Sequence, residues 1–152
     1  IPETRITFDS AVSYLPTVST DASGNAHVVW SDGRHGPSEI YYKKVFANLT
    51  VSPDIRVTNA LQPSWKPTVA ADQNGEVHII WIDHRNASLP QLFYTRLSNN
   101  GITLVDDMQI TSDPNSKSGP SIDSDPANNT HIAWFDYRHG SPEIYYKRSF
   151  PA

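Results

Sequence analysis

Pro16-Thr-Val-Ser-Thr-Asp21-Ala-Ser-Gly24-Asn-Ala-His27-Val-Val-Trp30-Ser-Asp32-Gly-Arg34-His-Gly36-Pro-Ser-Glu39-Ile-Tyr-Tyr42 decides the fold, because it returns twice. The second copy carries Pro67, Asp72, Gly75, His78, Trp81, Asp83, Arg85 and Tyr94. The third carries Pro120, Asp125, His131, Trp134, Asp136, Arg138, Gly140, Glu143 and Tyr146. Pro, His, Trp, Asp and Arg recur 51 and then 53 residues apart. Five columns at a nearly fixed period mark a repeat architecture, in which each copy is one supersecondary unit stacked on the next.

Each unit reads as β-structure. Residues 27–32, 78–83 and 131–136 alternate β-branched and aromatic side chains, the pattern of a strand. A short strand precedes each (17–20, 68–71, 121–124), joined by a turn of Ser-Gly, Asn-Gly or Asn-Asn, residues that tolerate positive φ. An aromatic strand follows (39–45, 91–97, 143–149), and a short polar fourth strand is expected at 55–58 and 109–111. Four antiparallel strands in about 50 residues make one propeller blade. Composition agrees. Twelve prolines in 152 residues leave Gln91 to Asp113 as the longest proline-free stretch, and that stretch contains Asn99-Asn100-Gly101. Proline costs about 3 kcal/mol inside a helix, so long helices and bundles are excluded.

The phase of the repeat is informative. Arg5-Ile6-Thr7 matches Arg56-Val57-Thr58 and Gln109-Ile110-Thr111. The expected organisation is an all-β, three-blade propeller unit over 1–152. An outer strand at 4–8 precedes blade 1 at 14–59, blade 2 at 65–112 and blade 3 at 118–150, the last without its own outer strand. Closed propellers use about four to eight blades. A three-blade wedge leaves two apolar faces to cover. Three arrangements satisfy this: a homodimer closing a six-bladed ring by strand exchange, a head-to-tail filament, or a part of a longer propeller.

The pattern Pro-x-Val/Ile…Asp…Gly…His-x-x-Trp-x-Asp-x-Arg-x-Gly-x-x-Glu-Ile-Tyr-Tyr resembles the sialidase-like, BNR-type β-propeller repeats of secreted microbial proteins, from Arg5 to Phe150. The resemblance implies a six- or seven-bladed propeller, often extracellular and often binding or hydrolysing carbohydrate. The sialidase Asp-box itself is absent: Ser19-x-Asp21-x-x-Gly24 has one residue too many and lacks the following aromatic.

Candidate site residues fall into three sets. Asp32/Arg34, Asp83/Arg85 and Asp136/Arg138 stand where the second strand turns into the third. They read either as carboxylates and guanidiniums around a ligand or as architectural pairs within each blade. His27, His78 and His131, with Trp30, Trp81 and Trp134, read as a structural network like the buried His–Asp–Ser/Thr–Trp set of WD-type propellers. A second histidine set, His35, His84 and His139, flanks the arginines. Trp65 stands outside the repeated tryptophan column and aligns with Tyr14 and Ser118. Flat aromatics beside charged donors suit sugar recognition, so Tyr14, Trp65, His35, His84 and Tyr137 join the Asp/Arg pairs as ligand-binding candidates.

Enzymes need an asymmetric constellation. No Ser/His/Asp set, phosphate loop or metal motif is present in the sequence, and the glutamates (Glu3, Glu39, Glu76, Glu143) include no partner placed to activate Tyr14. The expectation is a non-catalytic module for glycan or protein binding or for self-assembly. A surface-filament subunit and a sialidase-like glycoside hydrolase are the alternatives. No cofactor is expected; Ca²⁺ is conceivable from the Asp content, but no EF-hand-like spacing supports it. A net charge of −4 provides no basic footprint for nucleic acid, and no apolar run reaches membrane-spanning length. Zero cysteine fits either redox compartment. Sequons at Asn48, Asn86 and Asn128 point to an extracellular setting.

Overall fold

The computed structural model describes residues 3–85 and 89–149. Within them the chain is all β, with no helix. Strands β1 (Ser13–Thr20), β2 (Ala26–Asp32), β3 (Glu39–Val45) and β4 (Ile55–Arg56) form blade 1. Strands β5 (Ser64–Ala71), β6 (Val77–Asp83), β7 (Gln91–Leu97) and β8 (Thr103–Gln109) form blade 2. Strands β9 (Lys117–Ser124), β10 (Thr130–His139) and β11 (Ser141–Ser149) form blade 3. Each sheet is an antiparallel meander in chain order, four-, four- and three-stranded. The described residues form no closed ring.

Several strand boundaries differ from the sequence reading. The first strand of each blade begins four residues earlier than expected, because the segment before the repeated proline also pairs. It does so across a bulge, between Tyr14 and Thr17 in blade 1 and between Trp65 and Thr68 in blade 2. In blade 2 the outer strand is Thr103–Gln109, and 110–111 form the tail after it. Polar Thr103, Asp106 and Asp107 mask that strand from a hydrophobicity pattern. Residues 4–8 form no strand within one chain.

The inner strands β1, β5 and β9 stand side by side around a common axis. Ser19 Oγ accepts the Ala71 N–H at 3.0 Å, and Thr17 Oγ1 donates to the Pro67 carbonyl at 3.4 Å. Strand alternation then sends successive side chains to opposite blade faces. Val29, Ile40 and Tyr42 meet Val69, Ile79 and Trp81 between blades 1 and 2. Ala70, Ile80, Ile82 and Leu92 meet Ile122, Ile132 and Trp134 between blades 2 and 3. The cores are therefore inter-blade layers, and each blade depends on its neighbours for burial.

Candidate functional site

At the end of each second strand an Asp collects the donors around it. Asp32 accepts Trp30 Nε1–H at 2.8 Å, Ser13 Oγ–H at 3.0 Å, and both Nε–H and Nη2–H of Arg34 at 2.9 and 2.8 Å. Asp83 takes Trp81, Ser64 and Arg85 in the same way. Asp136 takes Trp134 at 3.2 Å and Arg138 at 2.9 and 2.5 Å. Each guanidinium also lies over the aromatic ring of the next strand: Tyr41 at 4.3 Å, Phe93 at 4.6 Å, Tyr145 at 3.8 Å. Arg34 adds Asp54, Arg85 adds Asp107 and Arg138 adds Asp113. Burial by itself would raise the Asp136 pKa, but the Arg138 and Trp134 hydrogen bonds outweigh it and bring it to about 2. Asp32 and Asp83 are lowered by the same balance. The forks face inward and are occupied by protein carboxylates. In every blade the Trp, Asp and Arg form a latch, Trp30–Asp32–Arg34, Trp81–Asp83–Arg85 and Trp134–Asp136–Arg138.

The opposite end of the second strand carries the histidines. His27 Nε2 donates to Asp21 at 3.2 Å, and Nδ1 accepts from Tyr42 OH at 2.8 Å. His78 repeats this with Asp72 and Tyr94, and His131 with Asp125 and Tyr146. Burial lowers the pKa of His27 and His78, so both rings are neutral near pH 7. Burial also pushes the Tyr94 phenol up to about 12. The tryptophans belong to the other set. His27 and Trp30 are three residues apart on one strand and face opposite sides, so the histidine and tryptophan networks are separate. The WD-type analogy merged them. Asp72, Glu76 and His78 bring three ligand-type atoms within 4.8 Å of one another. Arg96 lies 3.4 Å from Glu76 and supplies positive charge there. The sequence reading missed this cluster because its members are spread over a turn and a strand.

The aromatic set lies at the latch end. Trp65 pairs in register with Ile82, and its indole stands 6.4 Å from the His84 ring. Lys66 Nζ sits 4.6 Å above the indole. The indole Nε1–H is buried and has no hydrogen-bond partner among the described residues. Tyr14 is partly exposed at the matching place in blade 1. Next to each stands a residue in the left-handed region: Leu15 at φ 53°, Lys66 at φ 51° and Gly119 at φ 58°. For Leu and Lys that conformation costs about 1–2 kcal/mol. The three lie around one axial cavity of about 240 Å³, lined also by Thr17, Thr68 and Pro120. His35 stacks on Tyr41 and accepts or donates to its hydroxyl at 2.6 Å, while His139 stacks on Tyr145. Tyr137 is exposed and edges onto Phe135. The latch end thus gathers the ligand candidates, with Trp65 and His84 in one group and His35 and Tyr137 beside separate blades.

Of the sequons, Asn48 lies in an exposed turn after β3. Asn128 Oδ1 accepts the Gln73 N–H at 3.1 Å across two blades, and its sequon partner Thr130 is buried. Asn86 lies outside the described residues.

Solved structures resemble this architecture. An endo-arabinase from Bacteroides thetaiotaomicron superposes with a TM-score of 0.58 at 11% identity, over 93% of this chain and 56% of its own. A mannose phosphorylase from Leishmania mexicana, solved with phosphate, gives 0.57 at 13%, over 94% and 44%. The polysaccharide lyase Uly1 gives 0.56 at 10%, over 90% and 38%. The fold is of β-propeller type. The chain spans about 38–56% of the length of these three structures. No protein-family model and no curated protein sequence matches it.

Proposed function

We propose that this chain is a non-catalytic β-propeller module that binds glycan at the latch end of its axis. The observation that carries the reading is Trp65. Its ring is flanked by His84 and Lys66, and its N–H is buried without a partner among the described residues. An unmade hydrogen bond of that kind costs about 1–3 kcal/mol, which a ligand oxygen recovers once the half-buried indole turns outward to meet it. A sugar offers an apolar C–H face for the ring and hydroxyls for the indole, imidazole and ammonium. The strained backbone at Leu15 and Lys66 supports the reading, since such strain gathers at binding sites. Carbohydrate-acting solved neighbours support the substrate class. The exposed Asn48 sequon and the BNR-like repeat pattern support an extracellular setting.

Non-catalytic action is supported by the state of the carboxylates. The Asp residues of the latch are held charged by arginine, so none serves as a general acid, which needs a raised pKa. The enzymatic alternative rests on the same neighbours, which are named as enzymes.

Binding of arabino- and manno-oligosaccharides, measured by calorimetry on the 152-residue chain, tests the proposal. Trp65→Ala should weaken binding roughly 10-fold or more, the loss of one stacked aromatic contact. Binding unchanged in that variant, or no binding across a glycan array, counts against it. Turnover of a fluorogenic glycoside, lost in Arg34→Ala, replaces it with the enzymatic reading.

A further inference from the structure

The outer-strand tails of blades 1 and 2 obey one set of contacts. Asp54-Ile-Arg-Val-Thr58 and Asp107-Met-Gln-Ile-Thr111 run along the third strand of their own blade. The acid meets the latch arginine, Asp54 with Arg34 and Asp107 with Arg85. The apolar residue donates its N–H to the third strand, Val57 to the Ile40 carbonyl and Ile110 to the Leu92 carbonyl, both at 2.8 Å. The threonine hydroxyl accepts the N–H of Ile40 or Leu92, at 2.8 and 2.9 Å, and donates to Glu39 or Gln91. Arg56 Nη2 reaches Glu39 at 3.1 Å. The same tails then cover the next blade.

Residues 3–7, Glu-Thr-Arg-Ile-Thr, hold this conformation and pair with no strand among the described residues. Arg5 Nε donates to the Thr7 carbonyl at 2.7 Å, as Arg56 does to Thr58 at 2.9 Å and Gln109 to Thr111 at 2.6 Å. Lys43 Nζ grips the Ile6 carbonyl at 2.5 Å, as Lys147 grips the Ile110 carbonyl at 3.1 Å. Ile6 lies with Val28 and Trp30 along one cavity on the rear face of blade 1. The segment is therefore seated as the tail of a preceding blade.

Blade 3 presents the matching vacancy. Among the described residues, no strand pairs with the outer edge of its third strand. Ile144, the counterpart of fully buried Ile40 and Leu92, is 78% exposed, and Tyr146 is 60% exposed. Glu143, the counterpart of Glu39, is exposed as well. Arg138 holds Asp136 and Asp113 through Nε and Nη2. Arg34 and Arg85 use Nη1 for the outer-strand acid.

We infer that residues 3–7 of a second copy complete blade 3, two copies closing a six-bladed ring about a two-fold axis. Glu3 then meets Arg138, Ile6 N–H meets the Ile144 carbonyl, Thr7 Oγ1 accepts Ile144 N–H, and Arg5 meets Glu143. Ile144 and Tyr146 pack on the rear face of the second copy's blade 1, against Val18 and Val28. Opposite charges at two places in the segment, Glu3 to Arg138 and Arg5 to Glu143, fix register as well as affinity.

Sedimentation velocity on the 152-residue chain tests this. The expected species has twice the 17.0 kDa chain mass. Arg5→Glu and Glu143→Arg should each raise the dissociation constant roughly 30-fold or more, as for a broken interfacial ion pair. The double exchange should restore it to within about threefold, the signature of direct contact. Arg5 and Glu143 are not buried within the single chain, so neither substitution removes a core contact. A monomer at every concentration, an open-ended polymer in electron micrographs, or a dimer indifferent to both single variants overturns the inference. The last outcome would leave the open edge to a different partner.

Discussion

Blades 2 and 3 are built from the same parts and differ in what surrounds them. Both carry a Trp–Asp–Arg latch with the guanidinium over an aromatic ring, and both carry a His–Asp–Tyr set. Blade 2 has a neighbour on each face. Its third strand is nearly all buried, whereas that of blade 3 is mostly exposed. Local chemistry is therefore repeated in full while burial is not. A repeat protein of this kind inherits hydrogen-bond patterns from its own sequence and apolar stabilisation from the next unit.

Acid should give the largest effect, and its carboxylate part should not distinguish the blades. Asp136 and Asp21 have folded pKa values near 2, lowered against their own burial by hydrogen bonds. Their contribution is present above the ordinary carboxylate value and is lost as pH falls from about 3.8 towards 2. His27 and His78 act earlier: their folded pKa values are lowered, so their contribution is lost as pH falls below about 6.5. Urea unfolding between pH 8 and 2 should show both declines; a flat profile from pH 7 to 5 would remove the buried histidines from the account.

Asp83→Ala strands the buried Trp81 indole N–H, leaves Arg85 only Asp107 among the described carboxylates, and should cost about 2–4 kcal/mol in urea unfolding. A loss under 1 kcal/mol would mean that the latch is ornamental. Leu92→Ala, in the covered face of blade 2, should cost about 2–5 kcal/mol, while Ile144→Ala in the single chain should stay within about 0.5 kcal/mol. Equal losses would break the distinction between the blades. Gly119→Ala should cost about 1–2 kcal/mol, since φ is 58° and a Cβ would come 2.8 Å from the Phe135 ring. Lys66→Gly, at the matching place in blade 2, should change stability by less than about 0.5 kcal/mol. There, relief of strain offsets the flexibility that glycine adds to the unfolded chain.

The blade was legible because its signals are local. Trp81, Asp83 and Arg85 lie within five residues, and each side chain finds its partner inside that span. The matching of Arg5-Ile6-Thr7 to the two later tails was legible for the same reason. The left-handed residues were not. Leu15 and Lys66 carry no compositional mark of positive φ, and only Gly119 in the third copy hints at the backbone that all three share. Nor did the sequence separate the histidine from the tryptophan network, since strand alternation places them on opposite faces. The isolated position of Trp65 was visible as a break in the repeat. That its N–H finds no partner among the described residues depends on packing against His84 and the neighbouring blade.

The latch has a consequence for how such chains change length. Asp32, Trp30, Arg34 and Ser13 all come from one blade, as do Asp83, Trp81, Arg85 and Ser64. A duplicated stretch of about fifty codons would therefore arrive with its fastening already complete. Only its two broad faces would need to suit new neighbours, and those faces are copies of surfaces already present. Gain or loss of whole blades is thus a small step for this sequence, and ring size becomes a heritable variable rather than a fixed property of the fold.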